Sequence, residues 1–171
     1  MRFEFSASLL EDQTPDPLAL FRTLPVGETG GHWDLGISPW VSCIFDWWSD
    51  PRVESIFLIQ ASQTSKTTTM QGLLLYAAQR DPAPALWVGA LEEEVDKSVT
   101  VRLKPFLEMA DPNIRTRKKK DWRRLDVRLY GRMQVHFAWA TSAKRLRSWP
   151  ARYVFGDECS IWPSNLPGIG N

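Results

Sequence analysis

The chain has 171 residues, of which 43% are apolar, 24% are charged and 12% are aromatic, and its formal net charge is +1. This content of large apolar residues excludes a disordered segment, and no stretch reaches the roughly 18 uninterrupted apolar residues that a membrane span needs. The two cysteines, Cys43 and Cys159, are too few for a disulfide-dense secreted domain, and no amino-terminal signal pattern precedes them. We therefore expect a globular chain in a reducing cytoplasm, with no membrane partner.

The small net charge conceals two regions of opposite sign. Residues 102–152 contain 15 Lys and Arg against 4 Asp and Glu, whereas the rest of the chain contains 6 against 16. The basic region is densest at Arg115–Arg124, where seven of ten side chains are basic and Trp122 lies among them. Such clusters bind phosphate backbones without sequence specificity, and a mobile, solvated loop is the alternative interpretation.

Proline and glycine interrupt any periodic pattern in residues 1–37, which predicts an irregular lead-in with a short helix near Leu18–Thr23. The pattern changes at Ser38-Pro39, which has the form of a helix start. Asp50-Pro51 is predicted to end that helix. Residues 38–171 are predicted to form one domain.

Strand, loop and helix patterns follow one another twice after this first helix. Val53–Gln60 is an apolar run typical of a strand buried on both faces, and a helix is predicted from Lys66 to about Arg80 after a polar loop. Ala85–Ala90 is predicted to be a second buried strand and Leu91–Ala110 a second helix. Two such units in succession predict an α/β fold with a mostly parallel central sheet flanked by helices.

The remaining elements surround the basic segment, which is predicted to be a loop over residues 111–124. Two alternating runs, Leu125–Tyr130 and Met133–Ala140, are joined at a glycine and are typical of a hairpin or of two adjacent strands. A short helix is predicted at Ser142–Ser148, and a third buried strand at Arg152–Gly156. That strand ends in Asp157-Glu158.

Residues 60–67, with the sequence QASQTSKT, stand between a predicted strand and a predicted helix. A phosphate site in that position needs backbone N–H donors, a lysine for the outer phosphates and a hydroxyl for magnesium. Lys66 and Thr67 match the last two positions of G-x-x-x-x-G-K-[ST], whereas Gln60 and Ser65 replace both glycines. A Lys-Thr pair at a helix start is also common as a solvated cap, so the loop alone leaves both interpretations open.

The adjacent carboxylates Asp157 and Glu158 favour the nucleotide interpretation, because ligands bind at the carboxyl ends of strands in open parallel sheets. We expect Asp157 to hold magnesium through water. We expect Glu158 to orient or deprotonate the water that attacks the terminal phosphate. The alternative is a strand-ending turn with two exposed acids.

An ordered set of short motifs resembles the large terminase subunits of tailed phages, in particular the lambda-type branch. The set covers about residues 37–164 and comprises Ser38-Pro39-Trp40, Ser49-Asp50-Pro51-Arg52-Val53, Gln63-Thr64-Ser65-Lys66-Thr67, Ala140-Thr141-Ser142-Ala143-Lys144-Arg145-Leu146-Arg147-Ser148 and Trp162-Pro163. The third is similar to the family's Gln-x-Gly-Lys-Thr loop, and the fourth to its Gly-Ala-Asn-Ser-x-x-x-Leu-x-Ser stretch.

The resemblance implies a P-loop NTPase of the additional-strand, RecA-like type over residues 38–171. It implies an ATP hydrolase that uses Mg²⁺ and drives double-stranded DNA into the procapsid, in the cytoplasm of a host cell. The implied partners are double-stranded DNA, the small terminase subunit, the portal protein and further copies in a ring. Because the family's coupling motif and nuclease domain follow the Asp-Glu strand, we expect a truncated form without nuclease activity.

The expected site residues fall into catalytic, metal-binding, nucleotide-binding and DNA-binding groups. Lys66 and Glu158 are the catalytic side chains, and Thr67 and Asp157 hold the metal. The residues expected to bind nucleotide are Gln60, Ala61, Ser62, Gln63, Thr64, Ser65, Lys66, Thr67 and Trp40, the last of which either stacks on the base or anchors the first helix. The residues expected to bind DNA are Arg115, Arg117, Lys118, Lys119, Lys120, Arg123 and Arg124.

Two departures from the family pattern support an alternative function. Ser65 replaces the glycine before the lysine, and Ser62 replaces an arginine that many terminases carry in this loop. An arginine finger would then come from Arg145, Arg147 or a neighbouring subunit. The alternative is a truncated terminase-like protein that binds DNA or motor subunits without hydrolysing ATP. An unrelated P-loop phosphotransferase is disfavoured, because nothing resembles an acceptor-substrate lid.

Overall fold

The computed structural model describes residues 22, 25–26, 31–32, 34, 36, 38–61, 64–110, 122–123, 126–147 and 149–164. The chain divides into two units, Met1–Ile56 and Phe57–Asn171. Within the described ranges, no helix is both long enough and apolar enough to cross a membrane.

The described residues of the first unit include a two-stranded ladder and a helix after Ser38-Pro39. β1 (Pro25–Val26) pairs antiparallel with β2 (Gly31–His32), within the lead-in that was expected to be irregular. The helix predicted near Leu18–Thr23 lies outside the described residues apart from Arg22, which is helical.

Helix α1 (Val41–Ser49) confirms the helix predicted after Ser38-Pro39. Its buried side chains Val41, Ile44 and Phe45 share one face because they are three and four residues apart. After the helix, the guanidinium of Arg52 donates hydrogen bonds to both carboxylate oxygens of Asp50. Those bonds lower the pKa of Asp50 and fix the turn that ends the helix.

A five-stranded mixed sheet forms the centre of the second unit. β3 (Ala85–Gly89) lies between β6 (Met133–Trp139) and β7 (Tyr153–Gly156) and is parallel to both. β5 (Asp126–Leu129) pairs antiparallel with β6, and β4 (Trp122–Arg123) pairs antiparallel with β5. The sheet order is therefore β4-β5-β6-β3-β7.

The antiparallel pair of β5 and β6 confirms the predicted hairpin. Its turn contains Tyr130 and Gly131, which have φ values of 48° and 69°. Two successive residues with positive φ match the twist of the flanking strands, so the turn leads directly into the antiparallel pairing.

Helices flank the sheet and supply the rest of the core. α2 (Lys66–Arg80) has the predicted bounds and buries Leu73, Leu74 and Ala77. The predicted helix at 91–110 is confirmed from residue 92, as α3 (Glu92–Ser98), a π-helical segment (Val99–Leu103) and α4 (Lys104–Ala110). The short helix α5 (Ala143–Arg147) and a 3₁₀ turn (Cys159–Ile161) complete the described elements.

The prediction of a buried strand at Val53–Gln60 is wrong. These residues form no strand, and the side chains of Phe57 and Ile59 are 85% and 96% exposed. A strand needs a neighbour for its backbone N–H and C=O groups, and in the described part of the chain this run pairs with none. The parallel part of the sheet is formed by β6, β3 and β7, without Val53–Gln60.

The prediction that β7 is a buried strand is wrong, because β7 lies at the edge of the sheet. Only Phe155 is buried in this strand, where its ring lies 5.8 Å from that of Trp87, and Val154 is 64% exposed. A strand paired on one edge only is covered less completely than the central strand β3, all of whose residues are buried.

Candidate functional site

The carboxyl ends of the three parallel strands lie at one edge of the sheet. The ladder continues past the strand ends, because the N–H of Ala140 donates to the carbonyl of Gly89 at 2.8 Å. On the other side of β3, the N–H of Asp157 donates to the carbonyl of Val88, also at 2.8 Å. Asp157 is therefore held at the edge where ligands bind in parallel sheets.

Thr67 and Asp157 contact each other at this edge. The hydroxyl Oγ1 of Thr67 donates a hydrogen bond to Oδ1 of Asp157 at 3.3 Å, although the two residues are 90 positions apart. Thr67 is the second residue of α2, so this bond brings the start of that helix to the end of β7. Both atoms are oxygens, which are the ligands that Mg²⁺ prefers.

Lys66 folds back over the loop that precedes α2. Its Nζ donates to the carbonyl oxygens of Gln60 at 2.9 Å and Ala61 at 3.2 Å. The hydroxyl of Thr64 also donates to the carbonyl of Ala61, at 2.6 Å. The ammonium group of Lys66 is thus held by two carbonyl acceptors of the loop, and Lys66 is the first residue of the 15-residue helix α2.

Ser65 has the left-handed backbone conformation that glycine favours. Its φ is 73° and its ψ is 16°, immediately before α2 begins. The carbonyl of Ser65 accepts hydrogen bonds from the N–H of Thr69 at 2.8 Å and from its hydroxyl at 2.9 Å. This conformation explains why a glycine suits this position. A serine can adopt it only with backbone strain, because its Cβ atom is crowded there.

The carboxylate of Asp157 is electrostatically tuned by its surroundings. Burial raises its pKa first, and the negative charge of Glu158 raises it further. The hydrogen bond from Thr67, the backbone N–H of Glu158 and the positive charge of Arg102 act in the opposite direction. The net effect is a raised pKa for Asp157, a perturbation that is common among carboxylates of functional sites.

Arg102 acts electrostatically on Asp157 and is not among the residues expected at this site. It lies in the π-helical segment after β3 and is exposed, and its charge reaches Asp157. π-Helical turns often occur at functional sites. Helical periodicity across 91–110 gives no sign of that segment, so nothing in the sequence singled out this arginine.

Glu158 and Cys159 come directly after Asp157 in the chain. Glu158 is exposed and has a φ of 53°, which is unusual for a residue other than glycine. Cys159 is also exposed. The pKa of its thiol is raised, first by partial desolvation and then by the charges of Asp157 and Glu158, so the nucleophilic thiolate is disfavoured.

Residues 27–171 match the sequence profile of a family described as "Phage terminase large subunit gpA, ATPase domain". The chain belongs to this family. The resemblance carried by the short motifs is thereby confirmed. Searches of curated proteins and of solved structures gave no match.

Several residues expected to function in this terminase ATPase domain lie in the first unit, in helix α5 or outside the described residues. Trp40 belongs to the first unit and is 42% exposed. The guanidinium of Arg145 lies 5.3 Å from the ring centre of Trp139, and Arg147 is exposed at the end of α5. The positions outside the described residues are Ser62, Gln63, Arg115, Arg117, Lys118, Lys119, Lys120 and Arg124, together with the side chain of Arg123.

Proposed function

We propose that this terminase ATPase domain binds ATP with Mg²⁺ and hydrolyses it to move double-stranded DNA into a procapsid. The observation that carries the proposal is the contact between Thr67 and Asp157. It brings a loop with a lysine, a helix start and a pair of strand-end carboxylates into one cluster. Those are the parts that phosphoryl transfer from a nucleoside triphosphate requires.

The loop supplies the phosphate contacts in this proposal. The amino terminus of α2 favours negative charge, and the left-handed conformation of Ser65 precedes its first N–H groups. The Nζ of Lys66 exchanges its contacts with Gln60 and Ala61 for the outer phosphate oxygens. That exchange replaces neutral acceptors by charged ones, which bind an ammonium group more strongly.

Thr67 and Asp157 are the residues that would hold Mg²⁺, and their oxygen atoms fit its preference. When bound, the ion neutralises charge on the phosphate oxygens during transfer. Within the described ranges, no cluster of three or more His, Cys, Asp and Glu side chains is placed to hold a metal ion. Water and phosphate oxygens would supply its remaining ligands.

Glu158 acts as the general base. Its carboxylate is exposed at the carboxyl edge of the sheet, next to the metal-binding Asp157. The oxygen of a water molecule forms a bond to the γ-phosphorus, and the bond from that phosphorus to the bridging oxygen breaks. The bridging oxygen leaves with the electron pair on ADP, and the proton of the water passes to Glu158.

Family membership supports the wider assembly in this proposal. Residues 38–171 form the ATPase domain in this proposal, the face of Trp40 stacks on adenine, and the basic cluster at Arg115–Arg124 follows the DNA backbone. The small terminase subunit, the portal protein and further copies of the chain are the proposed partners, in the cytoplasm of a host cell.

Equilibrium binding of ATP in the presence and absence of Mg²⁺ tests the nucleotide site. Lys66→Ala is expected to weaken ATP binding at least about tenfold, because a charge-assisted contact to phosphate is lost. Lys97→Ala is the matched control, because Lys97 is exposed in the last turn of α3 and lies outside the proposed site. Equal affinity of the wild type and Lys66→Ala would contradict the proposed site.

A further inference from the structure

We propose that Trp162 is a positioning residue that orients Glu158 for its role in hydrolysis, an inference that rests on the proposed function. The indole Nε1–H of Trp162 donates a hydrogen bond to the carbonyl oxygen of Asp157 at 3.0 Å. That carbonyl belongs to the peptide that joins Asp157 to Glu158. The bond therefore fixes the rotation of this peptide, which sets the direction in which the Glu158 side chain leaves the backbone.

Glu158 needs such a restraint because of its backbone conformation. Its φ of 53° and ψ of 40° place it in the left-handed region, which is unfavourable for a residue with a Cβ atom. Without an external contact, the backbone would lower its free energy by moving Glu158 to a conformation with negative φ. That movement would turn the carboxylate away from its present position.

The indole ring is itself held by the sheet. A Cβ atom added at Gly156 would lie 3.0 Å and 3.3 Å from ring carbons of Trp162, so the ring packs directly on this glycine. The ring also packs against a buried cluster on β3 and at the end of β6, formed by Leu86, Val88, Ala138 and Ala140. This packing fixes the position of the indole N–H relative to the strands that carry the site.

Asp157 is consequently fixed at three points. Its N–H bonds to Val88 at 2.8 Å, its side chain accepts the hydroxyl of Thr67 at 3.3 Å, and its carbonyl accepts the indole of Trp162. The first two contacts hold the residue expected to bind metal. The third acts on the following peptide, and its removal should affect Glu158 more than the binding of nucleotide.

The test replaces the indole N–H while keeping the shape of the ring. Site-specific incorporation of benzothienylalanine at position 162 exchanges N–H for sulfur, and Trp162→Phe removes the donor by ordinary mutagenesis. Trp149→Phe is the matched control, because Trp149 is 41% exposed and stacks on His136. We expect kcat for ATP hydrolysis to fall about tenfold to a hundredfold in both position-162 variants. The KM for ATP and the unfolding midpoint of the benzothienylalanine variant should stay near the wild-type values.

Wild-type kcat in the benzothienylalanine variant would overturn the proposal. Hydrogen exchange of the indole N–H groups gives a second readout that needs no turnover. In the ligand-free wild type, the indole of Trp162 should exchange at least about tenfold more slowly than that of Trp149, because it is hydrogen-bonded. Equal exchange rates would overturn the positioning role. Slow exchange in a wild type that hydrolyses no ATP would support the hydrogen bond and contradict only the proposed function.

Discussion

The hydroxyl of Thr67 and the carboxylate of Asp157 are hydrogen-bonded at 3.3 Å across 90 positions of sequence. This bond connects the start of α2 with the end of β7. If both oxygens bind one Mg²⁺ ion, this contact contributes to binding of the metal as well as to the stability of the fold.

Thr67→Val tests this relationship because valine keeps the shape of threonine and lacks the hydroxyl. We expect the affinity for ATP in the presence of Mg²⁺ to fall about tenfold, as a polar contact near a charge is lost, and the affinity without Mg²⁺ to change little. Calorimetric titration with and without the metal measures both constants. Thr67→Ser should retain wild-type behaviour, and an undiminished effect of Mg²⁺ in Thr67→Val would contradict the assignment.

Ser65→Gly is expected to leave stability unchanged or to increase it by up to about 1 kcal/mol. Relief of the left-handed strain at φ 73° stabilises the folded chain, whereas the greater freedom of glycine stabilises the unfolded chain. Ser98→Gly provides the contrast, because Ser98 has a helical φ of −63°, and we expect it to lose about 0.5–1 kcal/mol. Urea unfolding measures both variants. A loss at position 65 as large as that at position 98 would show that the left-handed conformation is not strained.

The stability of the chain should depend on pH through His136. This residue is buried on β6 and stacks on Trp149 with ring centres 3.7 Å apart. Burial lowers its pKa below the usual 6.5, and the charge of Asp126 acts weakly in the opposite direction. Since the unfolded chain then binds the proton more readily, stability is fully present above about pH 6.5 and is lost as the pH falls through the lowered pKa.

Unfolding measurements at pH 7.5 and pH 5 check this dependence. His136→Phe keeps an aromatic ring against Trp149 and removes the titrating group, so its loss of stability on acidification should be smaller than that of the wild type. Comparison at the two pH values cancels contributions from other groups. An identical loss in the two proteins would contradict the role assigned to His136.

DNA binding by the basic cluster is expected to be salt-sensitive and independent of sequence. Replacing Lys118, Lys119 and Lys120 together by alanine should weaken binding uniformly and reduce the slope of log K against log salt by roughly one for each lost phosphate contact. Fluorescence anisotropy with two unrelated duplexes, over a range of salt concentrations, measures the slope. The same slope in the wild type and the triple variant would exclude this segment as the DNA contact.

Local signals in the sequence predict much of this fold. Lys66–Arg80 was predicted with the bounds that the structure shows, because polar and proline-containing segments delimit a helical apolar period. The hairpin of β5 and β6 was predicted for a similar reason, since a glycine separates two alternating runs. In both cases the residues that decide the structure lie within or next to the element.

Features that depend on distant partners were not predictable in the same way. Val53–Gln60 has the composition of a buried strand, but composition does not specify which strand will pair with it, and Phe57 and Ile59 remain exposed. The hydrogen bond from Trp162 and the charge of Arg102 at Asp157 also depend on tertiary placement. The candidate site itself was predicted from Lys66, Thr67 and the two acids, because their residue types follow from phosphate chemistry.

Steady-state release of phosphate from ATP by the wild type and by Glu158→Gln, at saturating ATP and Mg²⁺, tests the central proposal most directly. We expect Mg²⁺-dependent turnover in the wild type and a fall of at least about a hundredfold in Glu158→Gln, because a general base is removed. Glu93→Gln, an exposed acid in the first turn of α3, should retain wild-type turnover. No turnover in the wild type, or equal turnover in Glu158→Gln, would contradict the proposal.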